Sequence, residues 1–333
     1  MDILEISAPA EWDRFASQFD DYTYEQSFAF SQHAANRVGA RLVCLGVLSD
    51  GKPVGAAAIR EKRIPGLGFG IAHLPSGPLL SESGVAPEVL KALRDRVVVQ
   101  NRNVLRLRVS ILQPDDLLSD AQVRDLGFSR GTNIHDYQTC IVDLDHPIDV
   151  VRKKLHSKWR NQLNKSAQFT FEIEAGKSER LIARFLDLYK EMRSFKTFET
   201  ELDPQVLFDL LDSDFRFEVL IAHHDGVDLG AYVTCYTDSV ATYVLGANGH
   251  AGRDMRTGYA LMWQSLENAR ARNIPVFDLG GVDQDKNPEG YRFKTRTGGV
   301  VRSAFSPLEA RPSGLAGKIT IGLEKAYRLA RGK

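Results

Sequence analysis

The chain carries one turn twice. Two apolar runs, Leu42–Leu48 and Pro53–Ile59, are joined across Asp50-Gly51, and two more, Phe217–His223 and Asp228–Tyr236, are joined across Asp225-Gly226. Asp-Gly between apolar runs is a strong hairpin signal, because the tight turn needs two residues that tolerate positive φ. Both copies read D-G-x-x-x-G-A: Asp50, Gly51, Gly55, Ala56 against Asp225, Gly226, Gly230, Ala231. The offset is about half of the 333 residues, as a duplicated unit requires.

The flanks repeat the same order. In the first half a short strand (Ile3, Leu4, Ile6) precedes a helix with Trp12, Phe15 and Phe19 on one face, then a helix near Phe28–Val38. After the hairpin come a strand near 70–74, a helix over 87–101, a strand over 104–110, a helix over 115–126 and a closing strand over 136–144. In the second half helices are expected over 147–167, 178–194 and 204–212, then the hairpin and a strand over 239–247. A helix over 257–272, a strand over 275–281, a loop and a strand over 300–305 complete it. This order predicts an α/β chain of the α+β type, with mixed sheets and helices on their faces. The length permits two cores. The expected domains are 1–145 and 146–312, followed by a C-terminal helix over 313–333 packed back on the body through Leu315, Ile319, Leu323, Ala326 and Ala330.

Lys and Arg total 43, as do Asp and Glu, so the net charge is zero and any anion site must be local. Cys44, Cys140 and Cys235 are too scattered for a disulfide framework or a metal site, and they suit a reducing compartment. The first residues carry acids where a secretion signal needs Lys or Arg, and no apolar run approaches the roughly 18–20 residues that span a bilayer. A cytoplasmic protein is expected. No G-x-S-x-G, P-loop or H-E-x-x-H string is present, and neither a metal nor a resident cofactor is expected.

The element order resembles the fold of the GCN5-related N-acetyltransferases (GNAT), present twice. Four segments narrow this. Pro75-Ser76-Gly77-Pro78 resembles the P-x-G-P string found after the first hairpin in the Fem (FemABX) family. Arg160 to Lys165-Ser166-Ala167 is similar to that family's R-x-x-x-x-K-A helix. Phe277-Asp278-Leu279-Gly280-Gly281 is similar to its F-D-x-G-G strand end, and Phe293-Lys294 with Gly298-Gly299 to its F-K-x-x-x-G-G close. The resemblance runs over residues 74–299 in the family's order, but the long helical hairpin that Fem proteins of Gram-positive bacteria often insert in the second domain is missing. It implies transfer of an amino acid from aminoacyl-tRNA to an amine on a peptidoglycan precursor, a muropeptide or a related small metabolite.

Aminolysis of an activated ester or thioester needs no covalent enzyme intermediate. It needs a donor for the tetrahedral oxyanion, a proton acceptor for the amine, and positioning. Lys294 is the candidate oxyanion partner, a role the resemblance supports, and Phe293 would line the acyl site. Asp278 ends a buried-type strand, where it orients the amine, takes its proton or caps the Gly280-Gly281 turn; Asp283 and Asp285 are weaker alternatives. Residues 150–171 hold Arg152, Lys153, Lys154, Lys158, Arg160 and Lys165 and no acid, with Lys154, Lys158 and Lys165 near one helical face. Lys158, Arg160 and Lys165 would hold phosphates of acceptor or donor. A second cluster, Arg292, Lys294, Arg296 and Arg302, lies in an acid-free segment over 290–308.

The loop Arg253–Gly258 bears on the donor. Coenzyme A users of the GNAT class resemble Q/R-x-x-G-x-G/A here, with glycines exposing N–H groups to pyrophosphate at a helix N-terminus. This chain places Arg256 where the first glycine belongs and keeps Gly258. That leans toward aminoacyl-tRNA, with an acyl-CoA donor or a non-catalytic binding module as the alternatives.

Overall fold

A computed structural model describes residues 1–66, 68–131, 137–195 and 202–314, together with 317, 319 and 322. The chain divides into two compact units, Met1–Asp136 with the residues from Ser303 onward, and Tyr137–Arg302.

In the first unit the strands are β1 (Asp2–Ile6), β2 (Arg41–Ser49), β3 (Lys52–Arg63), β4 (Gly70–Leu74), β5 (Leu79–Leu80), β6 (Val104–Leu107) and β7 (Ser129–Arg130). The sheet runs β1-β2-β3-β4-β6, then the late strand Leu308–Ala310, then β7, with β5 paired to β3. At the hairpin Asp50 and Gly51 both take positive φ, 50° and 75°, as the Asp-Gly signal predicts. Side chains alternate along β3. Ala56 and Ala58 join Trp12, Phe19 and Cys44 under α1 (Pro9–Ala16) and α2 (Phe28–Arg37), while Ala57 and Ile59 face α3 (Ala86–Arg94). The small residues on β3 let the helices lie close: a Cβ on Gly55 would stand 2.7 Å from Val89. A short helix, α4 (Asp120–Asp125), starts on a capping box between Ser119 and Gln122.

The second unit repeats the plan. Its strands are β8 (Gln138–Asp143), β9 (Glu172–Gly176), β10 (Phe217–His224), β11 (Val227–Tyr236), β12 (Val240–Asn248), β13 (Val276–Val282) and β14 (Val300–Ser303), in the order β14-β8-β13-β12-β11-β10-β9. Asp225 and Gly226 again take positive φ, 47° and 78°. One face carries α5 (Ile148–Lys154), α6 (Ser157–Ser166) and α10 (Thr257–Ala271), whose Val151, Trp159, Leu261 and Leu266 pack on Leu220, Tyr232 and Phe277. The other face carries α7 (Glu179–Phe195), which packs on β10, β11 and β12. The short α8 (Val206–Asp209) follows α7, and α9 (His250–Asp254) precedes α10.

Three expectations change. The strand expected to close the first half, β8, lies in the second unit's sheet between β14 and β13, and Leu308–Ala310 returns to the first sheet between β6 and β7. The 145/146 and 312 boundaries therefore differ from the compact units. A strand's own residues mark it as a strand but do not name its partner, which is set by distant register. The helix expected over 147–167 is broken at Leu155, whose ψ of 133° is extended; α6 restarts with His156 Nδ1 accepting from Lys158 N at 3.1 Å. Lys154 thus does not share a helix with Lys158 and Lys165. The expected C-terminal helix over 313–333 lies largely outside the described residues.

Candidate active site

β12 and β13 run parallel, but their ladder is short. It pairs Val240 with Val276, Ala241 with Phe277 and Thr242 with Asp278, and stops, although β12 continues to Asn248 and β13 to Val282. Each strand is irregular at the same level, against β11 between Val233 and Thr234 and against β8 between Asp278 and Gly281. Bulges bend strands and redirect side chains. The two strands therefore part beyond Thr242 and Asp278 and leave a wedge of unpaired backbone.

The corresponding parallel pair of the first unit stays closed. β4 and β6 pair through Leu74 and Leu107, and Arg108 N then bonds Leu74 O at 3.0 Å. Among the described residues, only the second unit opens its sheet in this way.

Lys294 spans the wedge. It sits on α11 (Pro288–Thr295), a helix where the sequence predicts a loop; Pro288 opens it and Asn287 Oδ1 caps Gly290 N at 2.9 Å. The Lys294 ammonium donates to Gly281 O on β13 at 2.9 Å and lies 5.4 Å from the ring centre of Tyr243 on β12. Burial draws its pKa down to about 8, against the opposing pull of Asp278 and Cys140. A cation held between two splayed strands, beside free backbone, is placed to receive a developing negative charge.

Asp278 is buried, 5% exposed, and its Oδ1 accepts from the hydroxyl of Thr139 and, at 2.8 Å, from Gly280 N. This is the turn-capping arrangement. Burial raises its pKa; the bonds from Thr139 and Gly280 and the Lys294 charge oppose the rise. Gly280 has φ of 70°, and a Cβ there would lie 2.9 Å from Tyr243 O and 3.7 Å from Lys294 Nζ. Gly280→Ala is expected to cost at least about 1–2 kcal/mol, from left-handed backbone alone, and to impair turnover by crowding Lys294. Urea unfolding and single-turnover rates would check both. Asp283 is half-buried and caps its own turn, accepting from Asp285 N and Lys286 N.

Phe293 belongs to an aromatic cluster. Its ring centre lies 5.8 Å from that of Trp159 and 5.1 Å from Tyr259, which is itself 5.1 Å from Trp159. Trp159 is 1% exposed and its indole Nε1 is buried with no hydrogen-bond partner among the described residues. Tyr243 and Tyr232 form a second pair, with ring centres 4.8 Å apart and a shared hydrogen bond; burial pushes Tyr232 up to about 12 and Tyr243 well above its ordinary value. Gly246 makes room for the Tyr243 hydroxyl, since a Cβ there would overlap it. Neither tyrosine is among the residues that the sequence singles out. Their strands read as ordinary apolar β sequence, and nothing local marks where β12 loses its partner.

Arg256 precedes α10 with φ of 59°, the left-handed conformation that glycine favours. Its side chain turns away from that backbone: Nε donates to Gln162 Oε1 on α6 at 2.6 Å and Nη1 to Asp254 O at 2.7 Å. The charges of Arg296 and Arg256 act on the Tyr259 hydroxyl, so the helix start, Arg256 and Arg296 form one cationic corner. Lys158 and Lys165 stand exposed on α6, Arg160 is half-buried, and Arg292 is exposed on α11. Of the other cations, Lys153 pairs with Asp149, Lys154 with Asp143, and Arg152 bonds Asn164.

Residues 150–295 match the acetyltransferase (GNAT) domain family, within the unit that holds the wedge. Solved structures agree in fold across nearly the whole chain. FemX aligns with a TM-score of 0.77 at 15% identity, over 93% of this chain and 97% of its own. The C-terminal domain of a putative lysylphosphatidylglycerol synthetase from Agrobacterium fabrum aligns at 0.56 and 12% identity, over 97% of each. A tandem GNAT protein from the clavulanic acid biosynthesis pathway aligns at 0.51 and 14% identity, over 94% and 99%. Curated protein sequences provide no match.

The protein is an acyltransferase with a GNAT domain in its second unit. Its fold resembles that of FemX and of a tandem GNAT protein. No helix among the described residues is long and apolar enough to cross a membrane.

Proposed function

We propose that the protein transfers an aminoacyl group from aminoacyl-tRNA to an amine of a peptidoglycan precursor or a related metabolite. The observation that carries this reading is the Lys294 ammonium lodged between the parted strands β12 and β13. The amine attacks the ester carbonyl, the carbonyl oxygen takes the negative charge beside Lys294 Nζ, and collapse expels the ribose hydroxyl while the amine gives up a proton. Phe293, packed on Trp159 and Tyr259, lines the acyl position. Lys158, Arg160, Lys165 and Arg292 hold phosphates, and the exposure of Lys158, Lys165 and Arg292 suits a large polyanionic donor.

The donor choice rests on Arg256. Its backbone holds the conformation expected of a pyrophosphate-binding glycine, but the position carries a cationic side chain tied to Gln162 in place of the glycine. The chain resembles FemX in fold, which favours a Fem-type reaction, while the GNAT domain match keeps acyl-CoA as the second reading. The test incubates the protein with a mixed charged-tRNA pool and, separately, with common acyl-CoAs. Deacylation of tRNA that depends on added muropeptide is expected, with weak acetyl-CoA binding that Arg256→Gly strengthens. Turnover of acyl-CoA by the unaltered protein, with charged tRNA inert, would replace the tRNA reading.

A further inference from the structure

Three helix ends of the second unit meet beside the aromatic cluster. His156 N, at the start of α6, donates to Arg296 O, at the end of α11, at 3.0 Å. Arg256, at the start of α10, donates through Nε to Gln162 of α6. Tyr259 of α10 packs on Trp159 of α6 and on Phe293 of α11. Arg296 follows Phe293 by three residues, so its side chain leaves α11 on the side that meets Tyr259. The charges of Arg296 and Arg256 both reach the Tyr259 hydroxyl.

What these groups lack is an acceptor. Arg296 is half-buried, and among the described residues its guanidinium has neither a hydrogen bond nor an ion pair. The Tyr259 hydroxyl, in a half-buried side chain, has no hydrogen bond among them either. Arg256 donates to an amide oxygen of Gln162 and to the Asp254 carbonyl, so both of its acceptors are uncharged. No acid occurs in residues 150–171 or 290–308, which include α6 and the end of α11. The start of α10 has no side-chain cap and adds the positive end of a helix. Unbonded donors around two like charges, in a partly buried corner, carry a cost that a bound anion removes.

We propose that Arg296 and the Tyr259 hydroxyl clamp a nucleotide phosphate of the acyl donor beside the acyl position, with Arg256 lending its charge. The guanidinium fork of Arg296 matches two phosphate oxygens, and the hydroxyl, from a different helix, meets a third. Side chains grip the phosphate here, in place of the backbone N–H groups of a glycine loop. Tyr259 packs on Phe293, which puts the phosphate next to the residue that lines the acyl position. A terminal adenosine that carries the acyl group on its ribose and a phosphate at its 5′ oxygen has this layout. Assigning the phosphate to that adenosine rests on the tRNA reading; the clamp itself does not. The diphosphate of coenzyme A is the other source of the same chemistry.

The whole chain is titrated calorimetrically at low ionic strength with adenosine 5′-monophosphate, adenosine and coenzyme A. The monophosphate is expected to bind about tenfold tighter than adenosine, the effect of a charge-assisted hydrogen bond to phosphate. Arg296→Gln should erase that preference with an unchanged melting temperature. Tyr259→Phe keeps the ring packing and should weaken the preference; it is read in place of Arg296→Gln if that variant does not fold. Coenzyme A binding that needs Arg296, with the monophosphate no tighter than adenosine, keeps the clamp and assigns its phosphate to a coenzyme A donor. The clamp is overturned if neither phosphate ligand needs Arg296. A preference lost in Lys158→Ala but kept in Arg296→Gln overturns it equally, by placing the phosphate on the exposed face of α6. Lys294→Met should lower transfer yet keep the monophosphate preference, so failure of the acyl-transfer mechanism and failure of the clamp are read separately.

Discussion

Lys294→Met should lower kcat by about 10²- to 10³-fold while the protein folds normally. The magnitude is that of removing one preorganised donor to a tetrahedral oxyanion, roughly 3–4 kcal/mol of transition-state stabilisation. Methionine keeps the length of the side chain, so the packing against Tyr243 survives and the loss reports the charge. Stability should move the other way. The folded pKa of Lys294 is about 8, below its ordinary 10.5, so the fold disfavours its charged form. Between those values the unfolded chain binds more protons, and stability therefore rises with pH through the window of about 8 to 10.5. At neutral pH the lysine is held charged at a cost, and the methionine variant should melt no lower than the parent, with a flatter pH dependence over that window. Turnover should decline as pH rises through about 8, because the neutral amine cannot serve as the cationic partner. Unchanged single-turnover rates in Lys294→Met, with normal circular dichroism, would remove the mechanism and leave the fold.

Asp278→Ala is the second large effect, and it falls first on stability. Asp278 Oδ1 accepts from both Thr139 and Gly280 N in a buried setting. Removing the carboxylate orphans two buried or part-buried donors, at about 1–3 kcal/mol each, so a loss of roughly 2–6 kcal/mol is expected in urea unfolding. The variant should also release the Gly280 turn that sets the Lys294 acceptor on Gly281. Asp278→Asn separates the two roles. Its amide oxygen keeps an acceptor, so most stability should return. The loss of negative charge removes one influence that raises the Lys294 pKa, and the fall in turnover should move to lower pH. Asp278→Asn with the parent's pH profile would show that Asp278 is a cap alone.

Much of the architecture is legible along the chain because it rests on local chemistry. Asp50-Gly51 and Asp225-Gly226 specify their hairpins through positive φ, and the apolar runs on either side of each turn supply the paired strands. Lys294 is also visible, through the F-K string that precedes Gly298-Gly299. The helix that carries it is not, although Asn287-Pro288 with Gly290 is a capping signal. The run of cations from Arg152 to Lys165 reads as one face only if the helix is unbroken, and the break at Leu155 has no strong local sign.

Sequence alone determined the repeated hairpins, the mixed α/β layers and the candidate ammonium, since each follows from turn preference, periodicity or a short string. Only the tertiary structure decided that β8 crosses into the second sheet and Leu308–Ala310 returns to the first, that β12 and β13 part after Thr242, and that Tyr243, Gly280 and Lys294 meet there. The reason is range. Pairing and parting of strands depend on partners far away in the chain, and the same is true of Tyr259 and Arg296, which come from two helices and meet only in the folded unit.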